Sequence, residues 1–265
     1  MQLYLDGGGS SLKIFQKKHG DDAPVLISRR EGNFNFQSGC RESILIALAD
    51  ACRRFPAEKI TIGLAGIIQS EEKLTVYNAL RHDAKKELIV MSDLELAFEL
   101  YFEQQDGMMA ILGTGSIFAA KLDDHIIKVG GYGKLLGDSG SGIAIGRKAA
   151  REYLKLLDGF FEDDLFQRFM QMTFENRESV IDQIYSKSFP LQSLAPLVLQ
   201  LAERKSQTAC RILKKESRKV ANAVQLLISK LPNKKKAATE TLWRACGTFK
   251  SISHIYPQRT GRAQN

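Results

Sequence analysis

Apolar and polar positions alternate along three short segments at the start of the chain, Leu3 to Leu5, Leu12 to Phe15 and Val25 to Ser28. A period of two marks half-buried β-strands, and the polar run Lys17 to Asp22 supplies a turn. Residues 1–31 therefore read as a hairpin or three-strand meander. The period then changes. Between Arg41 and Phe55, the residues Ile44, Leu48, Ala51, Cys52 and Phe55 recur at the spacing of an amphipathic helix. Alternation returns in Lys59 to Leu64, followed by a helix around residues 71–82, a strand from Glu87 to Met91, and a helix with Leu94, Ala97, Phe98 and Tyr101 on its buried stripe.

At Gln104 to Gly107 the pattern resets. Strands over 108–112, 116–122 and 125–129 repeat the three-strand start, with Asp123-Asp124 as a tight turn. Helices are expected around 141–157, 161–173, 176–187, 193–205 and 206–231. The last of these carries Ala209, Ile212, Leu213, Val220, Ala223, Val224 and Leu227 at helical spacing, and Thr241 to Cys246 reads as a final strand. Strands followed by helices, twice over, predict an α/β protein of two related domains, 1–106 and 107–265, facing one cleft, with a helical region in the second.

Composition adds limits rather than identity. The 265 residues suffice for one large domain or two ordinary ones, and 44% hydrophobic with 26% charged residues is a globular composition. No apolar run approaches the ~20 residues of a membrane helix, and the chain enters a strand at once, so neither a membrane span nor a signal peptide is expected. Cys40, Cys52, Cys210 and Cys246 are scattered and the four histidines form no cluster, which disfavours a disulfide framework or a zinc site and favours a cytoplasmic location. Net charge is +8, concentrated in runs such as Lys214, Lys215, Arg218 and Lys219 and Lys234 to Lys236. No groove-reading or base-stacking element accompanies these runs, so they read as solvated faces rather than a nucleic-acid surface.

Candidate chemistry lies in three glycine-rich segments: Asp6 to Ser10, Gly113 to Ser116 and Gly137 to Gly142. The first two connect strand to strand and read as hairpin turns. No Gly-Lys-Ser/Thr is present, so this is not a strand–loop–helix phosphate site. Glycine permits left-handed turns and removes the side chain that would block approach, so each segment can present backbone N–H groups and hydroxyls to an anion. A nucleotide held between two domains, and phosphoryl chemistry, are the leading expectation. Asp93 sits at the end of a strand, where Ser92 and Glu95 form a capping box at a helix start. The helix dipole favours its ionised form, and an ionised carboxylate can accept a hydroxyl proton. Each candidate also has a plainer reading. Asp93 can be ordinary first-turn stabilisation, Asp6 a turn residue, Asp138 an N-cap, Asn35 a loop former beside Asn33, and Gly142 and Gly146 aids to close packing.

Together, Asp6-Gly-Gly-Gly-Ser-Ser11, Gly63 to Gly66, Ser92-Asp93, Gly113 to Ser116 and Gly130 to Gly142 resemble the BadF/BadG/BcrA/BcrD-type ATPase family, specifically its N-acetylglucosamine kinase-like members, within the sugar kinase/Hsp70/actin superfamily. The resemblance covers roughly the first 150 residues by motif. It implies two actin-like, ribonuclease H-like ATPase domains around a cleft, with ATP and Mg2+ as cofactors and phosphorylation of an amino sugar such as N-acetylglucosamine, glucosamine or N-acetylmuramic acid. By the same resemblance Asp6 places the metal, while Gly8, Gly9, Ser10, Ser11, Gly113, Thr114 and Gly115 meet phosphate. Asn35, Ser116, Gly131, Tyr132, Gly133 and Asp138 would line the sugar pocket, and Asp93 would be the general base. The chain departs at Ser139, more often acidic in the family, and at Tyr132, more often Trp. Leu242 to Ser251 resembles the start of the adenosine-side segment, with Gly247 at its turn. The family continues with a further strand and helices, so a shortened second domain is expected, with a sheet edge that a homodimer could cover. The alternative functions are a non-catalytic sugar- or nucleotide-responsive binding protein, or an ATPase activator of a partner enzyme. The cysteine positions argue against an activator built on an iron–sulfur cluster.

Overall fold

The computed structural model describes residues 1–20, 23–84, 87–102, 105–123 and 125–232, together with the backbone of 243–246. The chain divides into two compact units after Gln105. In the first, β1 (Gln2–Gly7), β2 (Ser11–Lys17) and β3 (Val25–Glu31) form an antiparallel meander. The strands β4 (Lys59–Leu64) and β5 (Glu87–Ser92) join β1 on its other side, both parallel to it, giving the order β3-β2-β1-β4-β5.

Alternation sorts these strands into two faces. Leu3, Leu5, Ile60, Ile62 and Leu64 pack with Ile44 and Leu48 of α1 (Arg41–Arg54) and with Val76 and Leu80 of α2 (Ser70–Ala84). Gly63 points the other way. A Cβ there would lie 2.4 Å from the Cβ of Leu96, so α3 (Asp93–Phe102) rests directly on the bare backbone of β4.

The second unit repeats the plan. Its strands β6 (Gly107–Leu112), β7 (Ser116–Leu122) and β8 (His125–Gly130) form an antiparallel meander. The strand β9 (Trp243–Cys246) pairs parallel with β6, giving β8-β7-β6-β9. A short helix α4 (Gly133–Leu136), absent from the sequence reading, precedes α5 (Gly142–Leu157), α6 (Asp164–Gln171) and α7 (Arg177–Tyr185). A 3-10 turn at Leu191–Ser193 leads into α8 (Leu194–Glu203) and α9 (Gln207–Ser229).

The starts of α5, α6, α7 and α9 follow side-chain caps, which satisfy amides that a helix leaves unbonded. Ser141, Asp163, Asn176 and Ser206 accept from the backbone N–H of Ala144, Phe166, Ser179 and Ala209 at 2.8–3.2 Å. The helical region has its own core, including Ile145, Tyr153, Phe166, Phe174, Val198 and Ile212. The second half of α9 instead covers the sheet, where Val220, Ala223, Val224 and Leu227 meet Met108, Phe118 and Val129.

Candidate functional site

In the first unit, the parallel strands β1, β4 and β5 end side by side, and ligands of open α/β sheets gather at such carboxyl edges. Asp6 pairs in register with Gly63, and Gly63 with Met91. In-register residues of parallel neighbours share a face, so Asp6 lies on the face that α3 covers, and α3 begins at Asp93. Two strand spacings and a two-residue offset separate the Asp6 and Asp93 backbones by roughly 10–12 Å. The Asp6 carboxylate is partly exposed, with the Lys13 ammonium 3.4 Å away on the neighbouring strand.

The capping box expected at Ser92 is present. Glu95 N–H donates to Ser92 Oγ at 3.2 Å, and Ser92 N–H donates back to Glu95 Oε2 at 2.7 Å. Lys73 Nζ donates to both Glu95 oxygens at 2.8–2.9 Å. Burial pushes the Glu95 carboxyl up, but the bonds from Lys73 and Ser92 outweigh it and hold the group below its ordinary range. Asp93 itself is half-buried at the first helical position and accepts from Leu94 N–H at 2.9 Å.

The first glycine turn is tight but not left-handed, which corrects one of the two reasons given for its glycines. Neither Gly7 nor Gly8 has a positive φ. Gly7 is required by packing, since a Cβ would lie 2.4 Å from Leu64 Cδ2, whereas the only atom within 4 Å of a Cβ at Gly8 is Ser11 O at 3.9 Å. Gly8 N–H donates to Ser11 O at 2.9 Å, closing the turn. Gly9 and Ser10 are exposed, and Ser11 is buried. The following loop is laced to this turn by Phe34 N–H to Gly8 O (2.9 Å) and Gly32 N–H to Ser10 O (3.0 Å). That brings Asn35 to the same edge. Its Oδ1 accepts from Gln37 and Ser38 N–H at 3.0 and 3.1 Å, the loop-forming use of Asn.

In the second unit the turn Gly113-Thr-Gly115 sits against the start of α5. Gly142 and Ile143 N–H donate to the carbonyls of Gly113 and Thr114 at 2.8 and 3.3 Å, and Ser141 takes the amide of Ala144. The helix N-terminus is thus occupied by the protein itself. Nothing lies within 4 Å of a Cβ at Gly113, and its φ is not positive, so the turn's open side is bare backbone. Ser141, not Asp138, is the cap of α5. Asp138 is buried with a left-handed φ of 66°, and its Oδ1 accepts from Ser116 N–H at 3.2 Å. Ser116 is also buried, and its hydroxyl donates to Ser139 O at 2.8 Å. Gly131 and Gly133, at φ of 73° and 80°, flank Tyr132, which is 69% exposed. Gly247 lies outside the described residues.

One residue escaped the sequence reading. Glu216 stands in the buried stripe of α9 between Ile212 and Val220 and is 2% exposed. Its Oε2 accepts from Gly140 N–H at 2.7 Å, and its Oε1 faces the ammonium groups of Lys148 and Lys219. Burial pushes its carboxyl up, but the Lys148 ammonium and the Gly140 amide outweigh that and leave it below the ordinary range. The signal was available: the apolar stripe skips a turn, and a carboxylate fills the gap.

No protein-family model matches the chain. A curated relative, the N-acetylmuramic acid/N-acetylglucosamine kinase of Clostridium acetobutylicum, is 28% identical over 273 residues, covering 96% of this chain and 87% of its own. Among solved structures, a candidate N-acetylglucosamine kinase from Chromobacterium violaceum aligns with a TM-score of 0.70 at 20% identity, over 93% of this chain and 87% of that one. A second candidate N-acetylglucosamine kinase, from Porphyromonas gingivalis, gives 0.64 at 22% identity, over 82% and 77%. With a meander-plus-parallel sheet in each unit, a helical region in the second and these structural neighbours, the chain has the actin-like ATPase fold that the resemblance of its glycine motifs implies.

Proposed function

We propose that the chain is an ATP-dependent kinase of an amino sugar, N-acetylglucosamine or a close relative such as glucosamine or N-acetylmuramic acid. The observation that carries this reading is the shared sheet edge and face of Asp6 and Asp93. One carboxylate there can serve a metal–nucleotide complex and the other a substrate hydroxyl. The Clostridium acetobutylicum relative is named for N-acetylmuramic acid and N-acetylglucosamine, which favours an acetamido sugar within that class.

In this reading Asp93 accepts the proton of the attacking sugar hydroxyl as its oxygen bonds to the γ-phosphorus and ADP leaves. Its place in a first helical turn, where the helix dipole favours negative charge, suits that task. Gly8 in the first unit and Gly113 in the second each leave space that a Cβ would fill, so at either turn a phosphate oxygen can approach the backbone. Ser10 and Thr114 add hydroxyls beside those turns, and Ser10 suits the role better than the buried Ser11. Among the described residues no group of three or more His, Cys, Asp or Glu could hold a metal on its own, so Asp6 would share Mg2+ with the nucleotide's oxygens and water. Magnesium, when bound, would offset the charge on the phosphate oxygens. Asn35, through its amide nitrogen, and Gly131, Tyr132, Gly133 and Asp138 would contact the sugar, with Ser116 holding Asp138 in place.

The test is ADP release from purified protein with Mg-ATP, with and without a panel of sugars. Stimulation by an amino sugar is expected, and Asp93→Ala should lower it by roughly 10²–10⁴-fold while leaving the fold intact, the usual contribution of a general base. Absence of turnover with every sugar, while a sugar or nucleotide still raises the melting temperature, would replace the kinase with a binding protein.

A further inference from the structure

We propose that Glu216 is the positioning residue of the Gly137–Gly142 loop, setting the backbone that carries Asp138; its kinetic consequence rests on the kinase reading above. The loop is an unfavourable piece of chain. Asp138 and Gly140 both adopt left-handed φ, at 66° and 79°. Such a conformation at a residue with a Cβ persists only when its surroundings fix it. Two anchors do so. At one end, Asp138 Oδ1 accepts from the Ser116 amide and the Ser116 hydroxyl donates to Ser139 O, tying the loop to the residue that follows the Gly113–Gly115 turn. At the other, Gly140 gives its amide to Glu216.

Gly140 also presses on α9 one turn further along, where a Cβ would come within 2.2 Å of Val220 Cγ2. The contact fixes the loop's distance from the helix, and the Glu216 bond fixes its rotation. Lys148 closes the arrangement from α5, the helix that the loop enters. A carboxylate is a costly choice for a buried helical stripe, because an apolar side chain of similar size would pack there without desolvating a charge. What the carboxylate adds is a charge-assisted acceptor for one loop amide, stronger and more directional than a neutral one.

Glu216→Leu separates the two possible roles, since it refills the stripe and removes the acceptor. Hydrogen–deuterium exchange should keep 164–203 protected in the variant, while the peptide containing Gly140 exchanges roughly ten- to a hundred-fold faster, the scale of a lost bond to a charged group. The KM for the amino sugar should rise by about the same factor, with the KM for ATP moving less than about threefold. Glu216→Gln keeps an acceptor oxygen and should restore most of the loop protection and part of the sugar KM. Should Glu216→Leu fold poorly, Glu216→Gln and Lys148→Met give the same readouts, with loop exchange and sugar KM between those of wild type and a lost anchor. Unchanged loop exchange and sugar KM in a folded Glu216→Leu would overturn the proposal. Faster loop exchange in a protein whose wild type turns over no sugar would uphold the anchor and sink only the kinase reading.

Discussion

Gly146 offers a stability test that does not depend on function. It lies in α5, buried, where the helix meets the 3-10 turn before α8. A Cβ at this position would lie 1.7 Å from Leu191 O and 2.6 Å from Leu191 C, against about 3.4 Å for ordinary contact. The obstruction is backbone, so no side-chain rotation relieves it. Alanine gains about 1 kcal/mol of helix propensity over glycine. Against that, the turn must retreat on the order of 1.5 Å, and such a gap over roughly 80 Å² of contact opens about 120 Å³, costing ~3 kcal/mol by the cavity coefficient. The net is a loss of about 2 kcal/mol, or a melting temperature lower by roughly 4–8 °C for a unit of this size. Gly113→Ala is the control, since nothing lies within 4 Å of its Cβ and its φ is ordinary. Calorimetry or circular dichroism at 222 nm would read both. A Gly146→Ala protein as stable as wild type, or more so, would refute the close approach and show propensity winning.

Two further outcomes follow from ionisable groups. Cys40 is exposed and hydrogen bonds from the Ser43 hydroxyl and amide lower its thiol pKa, whereas burial pushes buried Cys52 up to about 11; iodoacetamide near neutral pH should label Cys40 in the native protein and Cys52 only on unfolding, and equal native labelling would contradict this placement. Burial pushes the Asp163 carboxyl up, but the amides of Thr208 and Phe166 and the Ser206 hydroxyl outweigh it, so its folded pKa lies below the unfolded value. Its stabilisation is therefore present above the unfolded pKa and lost as pH falls through the folded one, so the stability gap between wild type and Asp163→Asn, read by urea titration, should shrink below about pH 4. A gap that widens in acid would reverse the sign.

Much of the fold was legible because its periods are clean. Lys59–Leu64 and Ser116–Leu122 match their expected bounds, and α1 and α3 start where the pattern changes. The helix expected at 161 begins at Asp164 because Asp163 spends its carboxylate on capping and on the start of α9. The short α4 was hidden because four residues cannot show a helical period. Ser92 and Glu95 could be read as a pair because a capping box is local, and sequence spacing fixes it. Asp138 could not be assigned, because its neighbours decide its role: Ser141 takes the cap, and Ser116 lies 22 residues back along the chain. Glu216 is the same case at longer range, an acceptor for an amide 76 residues away. Periodicity reports which face is buried, not what a buried polar group is bonded to.

The pairing of β6 with β9 has a consequence for the order in which the molecule is made. Every strand of the first unit lies within its opening 92 residues, so its sheet can close early in synthesis. The second sheet cannot. Its strand β6 leaves the ribosome with β7 as its neighbour and waits for β9, which arrives only after the whole helical region. Until then one edge of β6 exposes unpaired backbone groups beside Met108, Met109 and Ile111, the kind of edge that invites strands from other chains. Chaperone demand, inclusion-body formation and sensitivity to ribosome stalling should therefore concentrate in the second unit, in the interval between residues 112 and 243.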